Sequence, residues 1–164
     1  MRSLLIIASV FALSACVRTS TMPMAADVLQ ITASAAPACG ATGAQKVAIR
    51  QAAIETIKAG YDSFIVIGGG SENNVHIVGS TPVYAQTNGY ATATAYGNTA
   101  NAYGSSTTTY SGGQPIFGGS HDQTLVIKLF KEGDEGSTNA LSARSILGPN
   151  WQEALDSSNN SCLD

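Results

Sequence analysis

The chain alternates between two kinds of hydrophobic pattern, with neutral polar stretches between them. A largely apolar run covers Ser3 to Leu13. Residues 17–26 have no period and contain Pro23, which reads as a tether. Val28 to Ala33 reads as a first strand. From Lys46 to Ala59, Ile49, Ala52, Ala53, Thr56 and Ile57 recur at helical spacing, with Gln51, Glu55 and Lys58 opposite. Thr42 and Gln45 have the spacing of a capping box, and Gly60 stands where a left-handed stop is wanted. This predicts the main amphipathic helix over about 44–59. Tyr61 to Ile67 then reads as a strand with a buried centre, so strand, helix and strand suggest a crossover with parallel pairing. Gly68, Gly69 and Gly70 are expected to break that strand. Asn74 to Val78 is a short strand, Thr124 to Phe130 the clearest one, and Asn139 to Leu147 a short helix stopped by Gly148 and Pro149. Trp151 to Leu155 adds one more turn.

Residues 80–119 follow a different rule. Tyr, Thr, Ala, Asn, Gly and Ser succeed one another in near alternation, with Tyr90, Thr92, Thr94 and Tyr96 on one face of an extended strand and Ala91, Ala93 and Ala95 on the other. Gly97-Asn98 and Gly104-Ser105 punctuate. The stretch predicts a Tyr/Thr/Gly-rich β-hairpin or meander with weak register control, since neither face is strongly apolar; disorder is the rival reading. The expected fold class is α+β: a small mixed sheet, one main helix, a short C-terminal helix and this insert, all in a single domain over 27–164.

Charge sharpens the picture. No Asp, Glu, Lys or Arg occurs between Glu72 and Asp122. The formal net charge is −3, and becomes −4 once Arg2 is removed with residues 1–15. A mildly acidic chain without a basic stripe argues against nucleic acid as a partner.

Residues 1–15 give the address. Arg2, the short apolar run and the small residues Ser14 and Ala15 form a signal peptide, too short to span a bilayer. Leu13, Ser14, Ala15 and Cys16 resemble the lipobox of bacterial lipoproteins. That resemblance implies cleavage before Cys16, lipidation of its thiol, and a tether over 16–26. Several acyl chains give a lasting anchor where one is marginal. Val17, where inner-membrane lipoproteins often carry Asp, points to the outer membrane. A plain secretory signal with a chance cysteine is the alternative. Cys39 and Cys162 remain as an even pair in an exported chain, which suggests a disulfide against two free thiols.

Catalytic and metal patterns are scarce. Ser120, His121 and Asp122 are consecutive, and consecutive residues in extended chain point to opposite faces, which disfavours a relay. His76 sits in an apolar strand and reads as a core or sheet-face histidine. Glu55 and Asp62 do not read as a carboxylate pair. Two cysteines and two scattered histidines lack metal-ligand spacing. No cofactor is expected. The candidate binding surface is Tyr90, Tyr96, Tyr103 and Tyr110, suited to an envelope protein or a glycan.

The landmarks also stand in a familiar order. The Cys16 lipobox, Arg50 to Thr56 running into Gly60 to Phe64, Tyr96 to Thr99, Val126 to Lys128, and Ala143-Arg144 before Leu147 to Pro149 resemble a family of small uncharacterised proteobacterial (alphaproteobacterial-type) envelope lipoproteins. The resemblance implies a lipid-anchored α+β protein and brings no assigned activity with it.

Overall fold

The computed structural model describes residues 17–156 and Cys162. The signal segment and Cys16 lie outside the described residues, as does most of the polar tail. The chain divides into two compact units, one built from residues up to Val75 and from Gly119 onward, the other from His76 to Gly118.

The first unit is an antiparallel sheet with helices packed on one face. Its elements are β1 (Val17–Ala25), β2 (Val28–Ala35), α1 (Gly40–Lys58), β3 (Ser63–Asn73) and, after the second unit's β4 (His76–Ser80), β5 (Tyr84–Tyr96), β6 (Thr99–Ser111) and β7 (Pro115–Gly118), then β8 (His121–Phe130), β9 (Leu141–Ser142), α2 (Ala143–Leu147) and α3 (Trp151–Asp156). The strand order is β1-β2-β8-β3-β9, with every pairing antiparallel. The α+β reading holds.

The core follows from period-2 alternation. Leu29, Ile31, Ala33 and Ala35 of β2 and Leu125, Ile127 and Leu129 of β8 all point to one face. Phe64 of β3, opposite Leu129, extends this face, and Val47, Ala48, Ala52 and Ala53 of α1 close over it. Thr56 is the buried polar residue here, and its hydroxyl donates to the Ala52 carbonyl at 2.7 Å, which satisfies it inside the helix.

Several local expectations are corrected. Residues 17–25 are not a tether but the edge strand β1, from Val17 opposite Ala35 to Ala25 opposite Val28. Its alternating half-burial falls on Val17, Thr19 and Thr21, and of these only Val17 is an apolar side chain packed on the core, so no apolar period marks it. The capping box is not used: the helix starts at Gly40, directly after a 3-10 turn over Pro37–Cys39, which puts Thr42 inside it. Its buried face is led by Ala44, Val47, Ala48 and Ala52, while Ile49 and Ile57 are only half-buried. Gly60 does stop it. The Gly60 and Tyr61 amides donate to the Ile57 and Thr56 carbonyls, and Gly60 has φ +82°.

No parallel pairing forms. β2 and β3 run in the same sense, but β8 lies between them and pairs with both. The glycine run does not end β3 either: Gly68, Gly69 and Gly70 stand opposite Val126, Leu125 and Thr124, and Ile67 is absorbed as a bulge. A Cβ on Gly69 would lie 2.5 Å from the Thr124 carbonyl oxygen, so the close approach of β8 requires glycine there. His76 is exposed on β4, in the second unit, so of its two readings the sheet-face one holds and the core one does not. The C-terminal helix is shorter than Asn139–Leu147, because a 3-10 turn and β9 use its first residues; Ser142 caps α2 by accepting from the Ser145 amide.

Cys39 and Cys162 are joined by a disulfide with a Cα separation of 5.7 Å. It fixes Cys162 against the start of α1. A side chain at Gly43 would meet both cysteines, at 2.9 and 3.2 Å, so the helix presents bare backbone to the bridge.

In the second unit, β4 and β7 form one short ribbon with an irregularity between Ile77 and Gly79. β5 and β6 form another, two 13-residue strands in unbroken register. The hairpin expectation is met, but Gly104-Ser105 is not a turn: both residues pair within β6, opposite Ala91 and Tyr90. Gly97 and Asn98 are the two-residue loop, with Gly97 at φ +58° in the first position, as a II′-like turn requires.

Gly69→Ala should lower stability by roughly 1–3 kcal/mol through overpacking against backbone. Gly70→Ala, where nothing lies within 4 Å, should stay within about 0.5 kcal/mol of the parent. Urea unfolding midpoints of the two variants, at equal m-value, check this.

Candidate functional site

The consecutive Ser120, His121 and Asp122 come first because they carry the most reactive side chains. β8 splits them as the strand period demands. Asp122 faces away from the helix layer, opposite Ser34 of β2. His121 shares the parity of Leu125 and Ile127 and lies with Ala41, Ala44 and Asn73 around a cavity of about 150 Å³. Its Nδ1 is buried without a hydrogen-bond partner. The Ser120 hydroxyl donates to the Asp122 carboxylate at 3.0 and 3.2 Å, not to His121. A serine bonded to its acid rather than to a base is held, not activated.

Asp122 works as a clasp instead. The Asn74 side-chain amide donates to it at 2.7 Å, and the Asn74 backbone amide donates to the Ser120 carbonyl at 2.9 Å. The hydroxyl of Ser34, with Asn74 and Ser120, holds the Asp122 carboxyl below its ordinary value, against a smaller opposing effect of burial. These residues flank the two points where the chain leaves and re-joins the sheet.

Elsewhere the first unit has a groove of about 400 Å³ along α1, with Val47, Ile49 and Ile146 as apolar lining and Lys46 and Arg50 as cations. Asp62 is paired with Arg144 at 3.3 Å, and Glu55 with Lys58 at 3.9 Å, so these two acids serve separate surface ion pairs. Among the described residues no three His, Cys, Asp or Glu side chains converge on one point as a metal site requires.

The tyrosine surface lies on the β5–β6 ribbon. Residues directly opposite each other share a face, so the register assigns every side chain. One face carries Tyr84, Tyr90, Tyr96 and Tyr103, separated by Gln86, Asn88, Thr92, Thr94 and Asn101. The other carries Ala91, Ala93, Ala95, Ala100, Ala102 and Gly104, with the Thr87 and Thr108 hydroxyls 2.8 Å apart beyond them. Tyr110, opposite Ala85, belongs to this small-residue face. The four candidate tyrosines therefore do not form one surface. Tyr90, Tyr96 and Tyr103 stay together, Tyr110 leaves, and Tyr84 joins. Its signal was available, since Tyr84, Tyr90 and Tyr96 recur at an even spacing of six.

All five rings are 67–86% exposed. Tyr90 and Tyr103 are diagonal neighbours, and Tyr84 and Tyr96 lie about 20 Å to either side at strand rise. The face thus offers three separated aromatic stations with amides and hydroxyls between them. Such a face can stack on apolar or sugar rings and hydrogen-bond neutral polar groups.

Comparison with protein-family models, curated proteins and solved structures finds no match to this chain.

The Asp122 clasp has a pH signature. Its carboxyl is a stronger acid in the folded state than in the unfolded one, so the unfolded chain binds more protons as pH falls. The stabilisation is present above the unfolded pKa and is lost on acidification, from about pH 5 downward. Asp122→Asn should flatten this part of the curve of melting temperature against pH and speed hydrogen exchange of the Asn74 amide at neutral pH.

Proposed function

We infer that this is a lipid-anchored protein of the bacterial cell envelope, held in the outer membrane through Cys16, that acts by binding rather than by catalysis. It displays the β5–β6 ribbon to a neutral partner, an envelope protein or a glycan. The family resemblance read from the sequence agrees with this address. One observation carries the reading: 26 consecutive-strand residues, none of them charged, form a regular ribbon that is exposed at every position. A fold that keeps so much hydrogen-bonded backbone outside its core spends that surface on contact rather than on its own stability.

The ordering of tasks follows from the two units. The five-stranded sheet, the helix and the Cys39–Cys162 bridge make a stable carrier. The ribbon supplies the contact surface, with Tyr90, Tyr96 and Tyr103 as aromatic stations. The bonding of Ser120 to Asp122 rather than to His121 supports a binding reading over an enzymatic one.

Two measurements test this. Expressed with its own signal, the chain should be recovered from outer-membrane fractions starting at Cys16, with the added mass of lipid; Cys16→Ala should lose that mass and the membrane association. Deletion of residues 83–112 should leave the anchored carrier folded and abolish co-purification of envelope partners or peptidoglycan. An unlipidated parent would refute the address, and unchanged partner recovery after the deletion would refute the display role.

A further inference from the structure

The ribbon's long sides are the unexplained feature. Among the described residues β5 pairs only with β6, so each strand keeps one edge of backbone amides and carbonyls without a strand beside it. Open edges of this kind template pairing with another chain, and proteins ordinarily block them with lysine, proline, bulges or shortness.

This chain uses those devices on its other sheet. The edge strand β1 carries Arg18, Pro23 and a register irregularity between Pro23 and Ala25. The opposite edge, β9, is two residues long. β4–β7 is short, irregular and contains Pro115. The β5–β6 ribbon has none of them: no charge, no proline and no register shift over 13 paired positions.

We propose that the ribbon's partner is a second copy of itself, joined edge to edge, with β5 of one copy adding to β6 of the next. This rests on the anchored-display reading only for bringing copies together on one membrane. The antiparallel order of the ribbon itself selects the β5-to-β6 contact. Because β5 and β6 are antiparallel within a copy, a neighbour placed beside it by translation continues the antiparallel ladder in the same register. The contact is heterologous, so it leaves an open edge at each end and the row can grow.

Charge favours a second copy over a charged partner. Identical chains side by side bring like charges together, and the ribbon has none to oppose. Area favours a row over a stacked pair. One face of a 13-residue ribbon about 44 Å long covers roughly 400 Å², about half of the ~800 Å² per partner of a stable interface. Face-to-face stacking alone is therefore insufficient, and the backbone edge has to contribute. In the row Tyr84, Tyr90, Tyr96 and Tyr103 gather on one side, and the alanine and glycine residues, with Tyr110, on the other.

The turn identifies where to interfere. A two-residue loop makes Tyr96 and Thr99 a hydrogen-bonded pair, so alternate pairs, including Ala93 with Ala102, aim their amides outward. Proline at Ala93 and Ala102 removes outward donors and leaves the internal ladder intact. Ala93→Lys keeps the donor and adds a charge that repeats every ~10 Å along the row, two strand spacings. That spacing is comparable to the screening length of ~10 Å in 0.1 M salt and well inside the ~30 Å of 0.01 M salt.

The full chain, purified from membranes in detergent, should sediment as a polydisperse series several-fold heavier than the monomer and give a strand-spacing reflection near ~4.8 Å. The double proline variant should sediment as a monomer with the helix and the disulfide retained. Ala93→Lys should be monomeric in 0.01 M salt and assemble in 1 M salt, with the parent indifferent to salt. A parent that is a monomer or a closed dimer overturns the proposal, as does a proline variant that assembles like the parent or a lysine variant without salt dependence. The mass of the chain reports the anchor and sedimentation reports the ribbon, so either reading can fail alone. Cys16→Ala chains that assemble equally well would support edge pairing independently of lipid.

Discussion

The double pairing of β8 organises the structure. This strand lies between β2 and β3 and is antiparallel to both. Its alternate residues Leu125, Ile127 and Leu129 form the centre of the apolar face that α1 covers. Because β3 and β8 are direct partners, from Ser63 opposite Phe130 to Asn73 opposite His121, they amount to a hairpin whose connection is the entire second unit. Closing a connection of that length costs little more than closing one half as long, since the entropy grows only with the logarithm of length. The carrier can therefore bear an insertion of unusual composition without loss of its core. The bonds of Asn74 and Ser120 to Asp122 hold the two ends of the connection at the distance of a tight turn.

The same arrangement explains what could be read in the sequence. Elements with their own period were legible: the body of the helix, read over about 44–59 against the observed Gly40–Lys58, the alternating β2 and β8, and the hairpin around Gly97-Asn98. Elements defined by a distant partner were not. β1 has no apolar period because it is an edge that donates backbone to β2. The run Gly68 to Gly70 looks like a break until β8 is seen pressing on Gly69. Parallel pairing of β2 and β3 is a sound inference from local order, and it fails because a strand about 90 residues downstream of β2 takes the place between them.

The candidate surface divides in the same way. Alternation within β5 placed Tyr90 and Tyr96 on one face correctly, since parity inside a strand is local. Placing Tyr110 required the register between strands, which the turn sets: with a two-residue loop, even positions of β5 share a face with odd positions of β6. Tyr103 therefore joins the β5 tyrosines, and Tyr110 falls behind. Ser120, His121 and Asp122 were also decided by parity, because β8 begins at His121 and sends its first two side chains to opposite sides.

The charge-free interval has a consequence for how the two units answer to their surroundings. Residues 84–111 hold no carboxylate, imidazole or amine. Ions in solution have nothing there to screen, and acidification has no such group to protonate. The clasp at Asp122 is the opposite case, since it weakens in acid. A rise in acidity would therefore weaken the bonds of Asn74 and Ser120 to Asp122 in the first unit while protonating nothing in the ribbon, and a change in ionic strength would find no charge in the ribbon to act on. Divided in this way, the chain pairs an acid-sensitive join with a ribbon whose character does not change with salt or acid.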